Sequence, residues 1–405
     1  MKNDGKSSGC HSCFAKKTAA LLICTAVLLS LSGCWDMNEI NERVFVLGLG
    51  IDFCDRDEPD GGAKYDFTFL YTMMNEESVY KTARAAGNSL PDAISAFNRN
   101  NGTDANFEHL LCTVVGSEVA RSDFIRVINC LFSWAAVRRQ SVVAASDGRA
   151  ADLLSASVLG NDTASVIVAV TEATDTSRGR SATASLHNLF ISDVNKSGFF
   201  IYELTLIDSV TGRASNPDSV SESDAEEESA GLMSVSGAHS YGHDWYRGYL
   251  NREDAGRLRY FFGSQTDGMI GIDIAQTRMY FRIKNSSCTK AVECKGDQLY
   301  SRILIRLDCS LFDSGGQDMD RLSETENFYA EAERMISEQL QGDLDGIIQR
   351  CRDGLGAAPI GLDTAFRQRY GERYDGDPGG FDAMFREGFI DVEVSCKVRR
   401  VGVVK

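Results

Sequence analysis

The histidines and acidic residues of this chain offer few arrangements that could bind a metal or catalyse a reaction. One local cluster stands out, because His239 and His243 are four residues apart and Asp244 follows them. Two histidines at this spacing share one face of a helix, as a zinc site requires. Gly237 and Gly242 disfavour a helix there, so the sequence favours a surface turn and no metal site.

Motifs typical of enzymes are missing from the sequence. It contains no phosphate-binding Walker loop, no G-x-S-x-G nucleophile elbow and no H-E-x-x-H zinc motif. The segment GLGID at 48–52 lacks the third glycine and the following helix of a dinucleotide-binding loop. Carboxylates are abundant but form no distinct pair. We therefore predict no catalytic residue, no metal, no cofactor and a protein that is not an enzyme.

The cysteine with the clearest chemical role is Cys34. The residues LSG at 31–33 precede it and supply the small side chains that a signal peptidase needs before its cut. The apolar run at 18–31 follows two lysines and is too short to span a bilayer. This arrangement resembles the bacterial lipobox, in which the cysteine thiol receives a diacylglycerol and becomes the first residue. We predict a lipoprotein signal peptide over 1–33 and lipid attachment at Cys34; an uncleaved N-terminal anchor or a buried helix is the alternative.

The charge of the chain limits its partners. The formal net charge is −16, and the first 33 residues hold four lysines against one aspartate, so the remainder is more acidic still. Such a surface repels nucleic acid and anionic lipid headgroups, and no basic-aromatic patch is present. Attachment to a membrane therefore needs the lipid. Two acyl chains suffice at ~0.8 kcal/mol per buried methylene, whereas one is marginal.

The cysteines beyond Cys34 number eight, an even count that would permit disulfides in an oxidising compartment. Most of them lie inside apolar runs, where a thiol serves as a small hydrophobic side chain. The sequence therefore favours mostly free, buried cysteines. They are Cys54, Cys112, Cys130, Cys288, Cys294, Cys309, Cys351 and Cys396.

The first half of the chain alternates strand and helix patterns. Residues 43–52 read as a buried strand whose glycines indicate a close neighbour, and the alternation at 64–73 predicts a half-buried strand paired with it as a hairpin. The apolar run at 163–173 has the size of a buried strand, and 198–208 is also typical of a strand.

Two helices are predicted between these strands. Ser89 with Asp92 indicates a capped helix start, and residues 118–139 place apolar side chains on one helical face. In the second half, a longer helix is predicted to start at a capping box of Ser323 and Glu326, with Gly342 as a possible break.

The second half also carries strand patterns at 277–285 and 300–312, and a terminal strand near 389–398 with one polar face. Together these patterns indicate an α+β, multi-domain protein with mixed β-sheets flanked by helices.

An acidic segment without apolar periodicity divides the chain. We predict an N-terminal α+β domain at 34–209, an acidic linker or long loop at 210–229, and a C-terminal α+β region at 230–405 that is long enough for two subdomains.

The residues that follow the lipobox resemble the start of the mature Ger(x)C family, the lipoprotein C subunits of spore nutrient-germinant receptors. The family pattern is roughly G-C-W-D, two often basic residues, E-[LI]-N, then an apolar strand ending near G-[IV]-D. Met37 and Asn38 replace the basic pair here. Looser similarity continues at 230–263, 359–374 and 385–402. The matching residues are Cys34, Trp35, Asp36, Glu39, Ile40, Asn41, Gly50, Ile51 and Asp52.

The resemblance implies a three-domain architecture, no enzymatic activity and two integral-membrane receptor subunits as partners. One such partner is polytopic with large soluble portions, and the other is transporter-like. It also implies a lipid-anchored location on the extracytoplasmic face of the spore inner membrane.

The residues next to Cys34 have plausible physical roles. Asp36, three residues before Glu39, is placed to cap a short helix that leads away from the membrane. Trp35 suits the headgroup interface, where an amphipathic ring is favoured, and equally suits packing on its own domain. We take Trp35, Asp36, Glu39 and Asn41 as membrane-interface or family-motif residues.

Two functions from other classes stay open at this point. A solute-binding lipoprotein of a transporter would have one deep cleft between its domains. A cell-envelope hydrolase would need carboxylates or a metal converging in a pocket, for which only His239 and His243 offer support.

Overall fold

A computed structural model gives the fold. It describes residues 21–23, 25, 43–54, 62–73, 80–134, 137–156, 163–174, 184–207, 232–243, 245–263, 268–274, 276–314, 316, 327–376 and 378–399. The predicted acidic linker at 210–229 lies outside these residues.

The first sheet is mixed. Its strands are β1 (Arg43–Phe53), β2 (Tyr65–Met73), β3 (Lys81–Gly87), β4 (Asp104–Asn106), β5 (Cys112–Val115), β6 (Val142–Ser146), β7 (Phe199–Ile207), β8 (Leu232–Tyr241) and β9 (Tyr246–Asn251). They lie in the order β3-β2-β1-β5-β6-β7-β8-β9, and the short β4 pairs with β1. The central strands β1, β5, β6 and β7 run parallel, whereas the outer neighbours are antiparallel.

The predicted hairpin of β1 and β2 is confirmed, with Leu49 opposite Phe69. The prediction that β2 is half-buried was wrong, because Thr68 and Leu70, which share the face opposite Phe67 and Phe69, are buried as well. Helices cover both faces of the sheet, so even the polar Thr68 lies inside.

Among the described residues, six helices flank the first sheet: α1 (Leu90–Asn101), α2 (Ser117–Ser122), α3 (Phe124–Ser133), α4 (Ala150–Ser155), α5 (Thr163–Thr174) and α6 (Leu186–Val194). The helices α1, α2, α3 and α6 share one core with the sheet, and α4 and α5 share a second core on its other face. The predicted cap of α1 is confirmed, since the Ser89 side chain accepts from the Asp92 N–H. The single helix predicted at 118–139 is two helices, because Asp123 has non-helical backbone angles.

The segment predicted as a buried strand at 163–173 is instead the helix α5. Its most buried residues recur at helical spacing: Thr163, Ala164, Ile167 and Thr171. A short, uniformly apolar run has no clear period, so its length and composition misled the strand prediction.

The second sheet has the strands β10 (Met269–Ile274), β11 (Thr277–Lys295), β12 (Gln298–Asp313) and β13 (Phe389–Arg399), in that order. Strand β13 runs parallel to β12 and the others antiparallel. One face is buried by α7 (Arg252–Phe262), α8 (Phe328–Arg350), α9 (Leu362–Gly376) and α10 (Pro378–Glu387), with short π and 3-10 turns at Cys351–Leu355 and Ala358–Ile360.

The strand predictions for this half are confirmed; β11 extends well beyond its predicted end, whereas β12 lies within two residues of its predicted bounds. Strand β13 alternates buried and exposed residues, as its polar face predicted. Helix α8 is continuous through Gly342, so the predicted break does not occur. Ser323 and Glu326 lie outside the described residues, and the residue that precedes α8 is Asn327.

The two halves of the chain are joined by β8 and β9. These strands follow the acidic segment in sequence, yet they pair with β7 in the first sheet. Phe200 and Tyr202 of β7 pack into the core that holds the second sheet. The predicted α+β, multi-domain architecture of mixed sheets flanked by helices is confirmed. The boundaries predicted at 209 and 230 stay predictions.

Candidate functional site

The strands β8 and β9 carry the buried polar residues His239 and Ser240 and three tyrosines. Near the turn between them, the Tyr241 hydroxyl donates to the Ala120 carbonyl of α2 at 2.7 Å. The neighbouring Ser240 hydroxyl donates to the Leu355 carbonyl at 2.8 Å. This hairpin is therefore fixed on one side to the first sheet's helices and on the other to the C-terminal segment.

A buried carboxylate, Glu203 of β7, lies at the centre of a hydrogen-bonded network. Its Oε2 lies 2.8 Å from His239 Nε2, and its Oε1 accepts from Tyr249 at 2.7 Å and from Ser236 at 3.0 Å. The other His239 ring nitrogen, Nδ1, lies 3.3 Å from the Tyr246 hydroxyl. His239 was predicted in a surface turn, but it is fully buried in β8, so that prediction was wrong.

The donors around Glu203 determine its ionisation. Burial acts to raise the pKa of this carboxyl, but the hydrogen bonds from His239 and Tyr249 outweigh it and hold the pKa below its usual value. Burial, together with the same contact with Glu203, raises the pKa of Tyr249. The network therefore keeps an ionised carboxylate inside the protein with its acceptors satisfied.

A second buried carboxylate, Asp52 at the end of β1, belongs to the Gly-Ile-Asp motif of the sequence. Its two oxygens accept the backbone N–H groups of Ala150 and Ala151 at 2.8 and 3.0 Å, which caps the start of α4. A Cβ on Gly116 would lie 2.1 Å from Asp52 Oδ1, so only glycine leaves room for the carboxylate. The role of Asp52 is structural.

A small cavity of about 220 Å³ lies beside the β8–β9 turn, which we call the turn cavity. Its walls come from that turn, from the segment before β7, and from the start of α9 and the α9–α10 region. The polar and aromatic side chains that line it include His243, Trp245, Arg247, Asp363, Tyr374 and Asp382.

The charges around the turn cavity are unequally paired. Arg247 forms an ion pair with Asp382 and lies with its guanidinium 4.9 Å from the centre of the Trp245 ring. Asp363, only 4% exposed, accepts the Thr364 N–H through Oδ1 at 2.7 Å. Its Oδ2 has no hydrogen-bond partner within the part of the chain that the structure describes. Burial raises the pKa of Asp363 to about 6.

Comparison with known families decides the identity of the chain. Residues 36–206 match the family described as spore germination protein N-terminal domain. Residues 236–402 match the family described as spore germination B3/GerAC like, C-terminal. The chain belongs to the Ger(x)C family of spore germination proteins. This confirms the resemblance seen at 33–52.

A solved structure supports the fold of this Ger(x)C protein. It is similar to the crystal structure of the GerBC protein, with a TM-score of 0.52 and 14% identity over 86% of this chain and 97% of that one. At this identity the similarity concerns the fold. No curated protein matches the chain.

The residues predicted at the start of the mature Ger(x)C chain are not placed by the structure. Cys34, Trp35, Asp36, Glu39 and Asn41 all lie outside the described residues, which resume at 43. Lipid attachment and the interface role of these side chains stay predictions. Within the described residues, no helix is long and apolar enough to cross a membrane.

The structure separates the two histidines that the sequence suggested as a pair. His239 lies in the Glu203 network and His243 at the turn cavity, and no group of three or more metal-binding side chains occurs among the described residues. The eight cysteines beyond Cys34 are all free, four of them buried, and Cys130 is exposed. Sequence reasoning missed Glu203 and Asp363, because only the fold brings their surroundings together.

Proposed function

We propose that this Ger(x)C protein is the lipid-anchored, non-catalytic C subunit of a spore nutrient-germinant receptor, required for the germination response. The observation that carries the proposal is the order of the two family matches, which together extend over most of the chain. A single short motif could arise in an unrelated protein. Two consecutive domain matches indicate that this chain has the domain order of the spore germination family.

The proposed anchor is a diacylglycerol on Cys34. The N-terminal family match begins at Asp36, two residues beyond this cysteine, which supports Cys34 as the start of the folded protein. The formal charge of −16 opposes electrostatic binding to anionic headgroups, so the acyl chains would have to provide the membrane affinity.

The proposed location is the extracytoplasmic face of the spore inner membrane. There the subunit would act with two integral-membrane partners, one polytopic with large soluble portions and one transporter-like. These partners follow from the family resemblance.

A non-catalytic role agrees with the surroundings of the buried titratable groups. Glu203 and Asp52 are engaged by three side chains and two backbone amides respectively, so neither is free to exchange protons with a substrate. The alternative is a solute-binding lipoprotein of a transporter, which the turn cavity favours. At about 220 Å³ that cavity is smaller than usual ligand pockets.

The anchor is tested by Cys34→Ala in a spore-forming host that lacks its own copy of the gene. We expect the variant to leave the membrane fraction of spores and the nutrient response of this receptor to fall. Cys24→Ala, within the apolar run of the signal segment, is the matched control and should change neither. Membrane retention of Cys34→Ala equal to that of the unchanged chain would disprove the anchor.

The receptor role is tested separately by purifying the tagged full-length chain from spore membranes in mild detergent. We expect two multi-span membrane proteins to co-purify with it. Co-purification of an ATP-binding cassette transporter would instead favour the solute-binding alternative.

A further inference from the structure

The second sheet has one face that its helices bury and one that they leave uncovered. The helices α7 to α10 pack on the buried face of β10–β13. On the other face, which we call the open face, the alternate residues of each strand are exposed or partly exposed. A sheet that meets water on one side normally carries polar side chains there.

The open face carries an unusual number of apolar side chains. Five of the large apolar residues that the described part of the chain exposes lie on it. Phe389 is 63% exposed and stacks on Tyr300, with ring centres 5.4 Å apart, at one end of the face. Phe312, 59% exposed, lies at the other end with Tyr280 and Met269 on the neighbouring strands. Exposed apolar residues concentrated on one face indicate a surface that another molecule covers.

The open face also carries positive charge, although the chain is acidic. The pairing of its strands places eight Lys and Arg against six Asp and Glu on this face, whereas the whole chain has 42 Lys and Arg against 58 Asp and Glu. The cations are Arg278, Arg282, Lys284, Lys295, Arg302, Arg306, Lys397 and Arg399, and the acids are Asp273, Glu293, Asp308, Asp313, Asp391 and Glu393.

The excess of positive charge is greatest near Phe312. We call this part the basic end; it consists of Arg282, Lys284, Arg306, Lys397 and Arg399 around Asp308. The Asp308 carboxylate is already paired with Arg399 at 2.6 Å. Lys284, Arg306 and Lys397 form no ion pair within the part of the chain that the structure describes. The basic end therefore has positive charge available for an acidic partner.

The outer edge of the sheet at β13 is occupied by the protein itself. The Cys396 N–H donates to the Ser337 hydroxyl at 3.1 Å, and the Val398 N–H donates to Glu333 Oε1 at 2.8 Å. Both acceptors belong to α8, so this edge does not offer these N–H groups to an added strand. The face of the sheet, and not this edge, is the available surface.

The size of the open face suits a protein partner. Tyr300 and Phe312 are twelve residues apart on β12, about 40 Å at ~3.3 Å per residue, and four strands at ~4.8 Å spacing give a width of about 19 Å. The product, roughly 750 Å², is close to the ~800 Å² that each partner buries in a standard protein–protein interface.

The shape and charge of the face disfavour two other occupants. Neighbouring strands of a sheet are rotated by about 20–25°, so a flat bilayer would meet only one end of a face of this length, whereas a protein surface can follow the twist. A symmetric pair of copies would place two faces of net positive charge against each other.

We propose that the open face binds a partner protein whose surface is acidic opposite the basic end and apolar opposite Phe312 and Phe389. Aromatic, Met and Arg side chains are those enriched in protein interfaces, and this face combines all three kinds. The inference does not depend on the receptor assignment, since it rests only on the chemistry and size of this face.

The test is lysine footprinting of the full-length chain in membranes of its host. Acetylation is measured at each lysine by mass spectrometry in untouched membranes, and again on the chain isolated in detergent after a wash at about 1 M NaCl, which screens charge contacts. Lys284 and Lys397 should react at least about fivefold more slowly in the membranes, because an interface excludes water and reagent. Lys196, exposed and outside the open face, should react equally in both.

A carbodiimide tests the acidic character of the partner, because it joins a lysine amine to a carboxyl group in contact with it, with loss of water. We expect cross-links from Lys284 or Lys397 to Asp or Glu residues of one other protein. Cross-links that join these lysines only to acids of this chain would contradict the proposal.

Variants locate the contact on the open face. The double substitution Arg306→Glu and Lys397→Glu should make Lys284 as reactive in membranes as in the isolated chain. Arg99→Glu with Arg138→Glu, the same change of charge at exposed positions in the first half of the chain, should leave Lys284 protected. Phe312→Ala, which removes an exposed ring without changing charge, should also raise the reactivity of Lys284, and it tests the contact if the charge reversals disturb folding.

Several outcomes would overturn the proposal. Equal reactivity of Lys284 and Lys397 in membranes and in the isolated chain would show that nothing covers the face. Protection on phosphatidylglycerol vesicles that hold no other protein would show that the occupant is the membrane. Protection in the isolated chain would assign the face to a second copy if light scattering gives a dimer, and to a segment of the same chain if it gives a monomer. Equal loss of protection in the two double variants would show that net charge alone is responsible.

Discussion

Glu203 and Asp363 are both buried carboxylates, yet their surroundings are opposite. Glu203 accepts hydrogen bonds from three side chains in the first sheet. Asp363, beside the turn cavity, has one oxygen paired with a backbone N–H and the other unpaired among the described residues. The pKa of Glu203 is held below its usual value despite burial, whereas burial raises the pKa of Asp363 to about 6.

This difference separates a carboxylate whose oxygens are fully hydrogen-bonded from one that the fold leaves short of a donor. Burial disfavours the ionised form of both groups, and the number of donors decides which effect wins. A carboxylate whose donors are complete has nothing left to offer a ligand. One with an unpaired buried oxygen costs the folded state free energy.

The largest expected effect comes from removing the partner of the satisfied carboxylate. His239→Leu takes away the imidazole beside Glu203 and leaves a buried carboxylate short of a donor. Breaking a buried pair in this way should lower the free energy of unfolding by about 3–5 kcal/mol. Urea unfolding of the full chain in detergent, followed by tryptophan fluorescence, measures it.

His187→Leu is the control for this substitution. His187 is exposed on α6, so the same change there should alter the free energy of unfolding by less than about 0.5 kcal/mol. A loss of equal size in the two variants would show that the Glu203 network contributes nothing specific.

The elements of the fold differ in how well the sequence predicted them. Alternation and capping residues identified β1, β2, β7, β12 and α1, because each has a period or a start signal of its own. The apolar run of α5 has no clear period, and its type was predicted wrongly. Local sequence indicates the element, and only the pairing of β7 with β8 brings Glu203 to His239.

The candidate site was harder to predict than the fold. The histidine pair at 239 and 243 attracted attention through its spacing, but the two side chains serve different environments. Asp363 lies in the segment at 359–374 that resembles the family, yet nothing in that segment marks it as buried. Its environment depends on the β8–β9 turn, which is more than a hundred residues earlier in the chain.

The second prediction is a gain in stability, whereas His239→Leu should cause a loss. Asp363 has a pKa raised to about 6, compared with about 3.9 in an unfolded chain. The folded state therefore favours the protonated form, and the stability linked to this group is present below about pH 4 and lost as the pH rises through about 6. Asp363→Asn should be more stable than the unchanged chain by about 2–3 kcal/mol above that pH.

The free energy of unfolding between about pH 4 and pH 8 tests this prediction, since the stability difference should vanish towards the acidic end. Glu372→Gln on the same helix should show no such pH-dependent gain, because its side chain is exposed. An Asp363→Asn variant that is less stable than the unchanged chain at neutral pH would mean that the carboxylate is satisfied after all, and the contrast with Glu203 would disappear.

The smallest expected effect concerns the space around the third buried carboxylate, Asp52. Gly116→Ala would put a Cβ at 2.1 Å from Asp52 Oδ1 and force the carboxylate away from the N–H groups at the start of α4. Overpacking of this kind should lower the free energy of unfolding by about 1–2 kcal/mol. Urea unfolding, as for His239→Leu, measures the change.

Glycine-to-alanine substitution at Gly342 should instead raise the free energy of unfolding. This glycine lies within the continuous helix α8, is exposed, and an added Cβ meets nothing within 4 Å. Alanine has the higher helix propensity, so Gly342→Ala should raise the free energy of unfolding by up to about 1 kcal/mol. If both alanines changed stability in the same direction, the close contact of Gly116 with Asp52 would not control the capping of α4, and this carboxylate would resemble Asp363 more than Glu203.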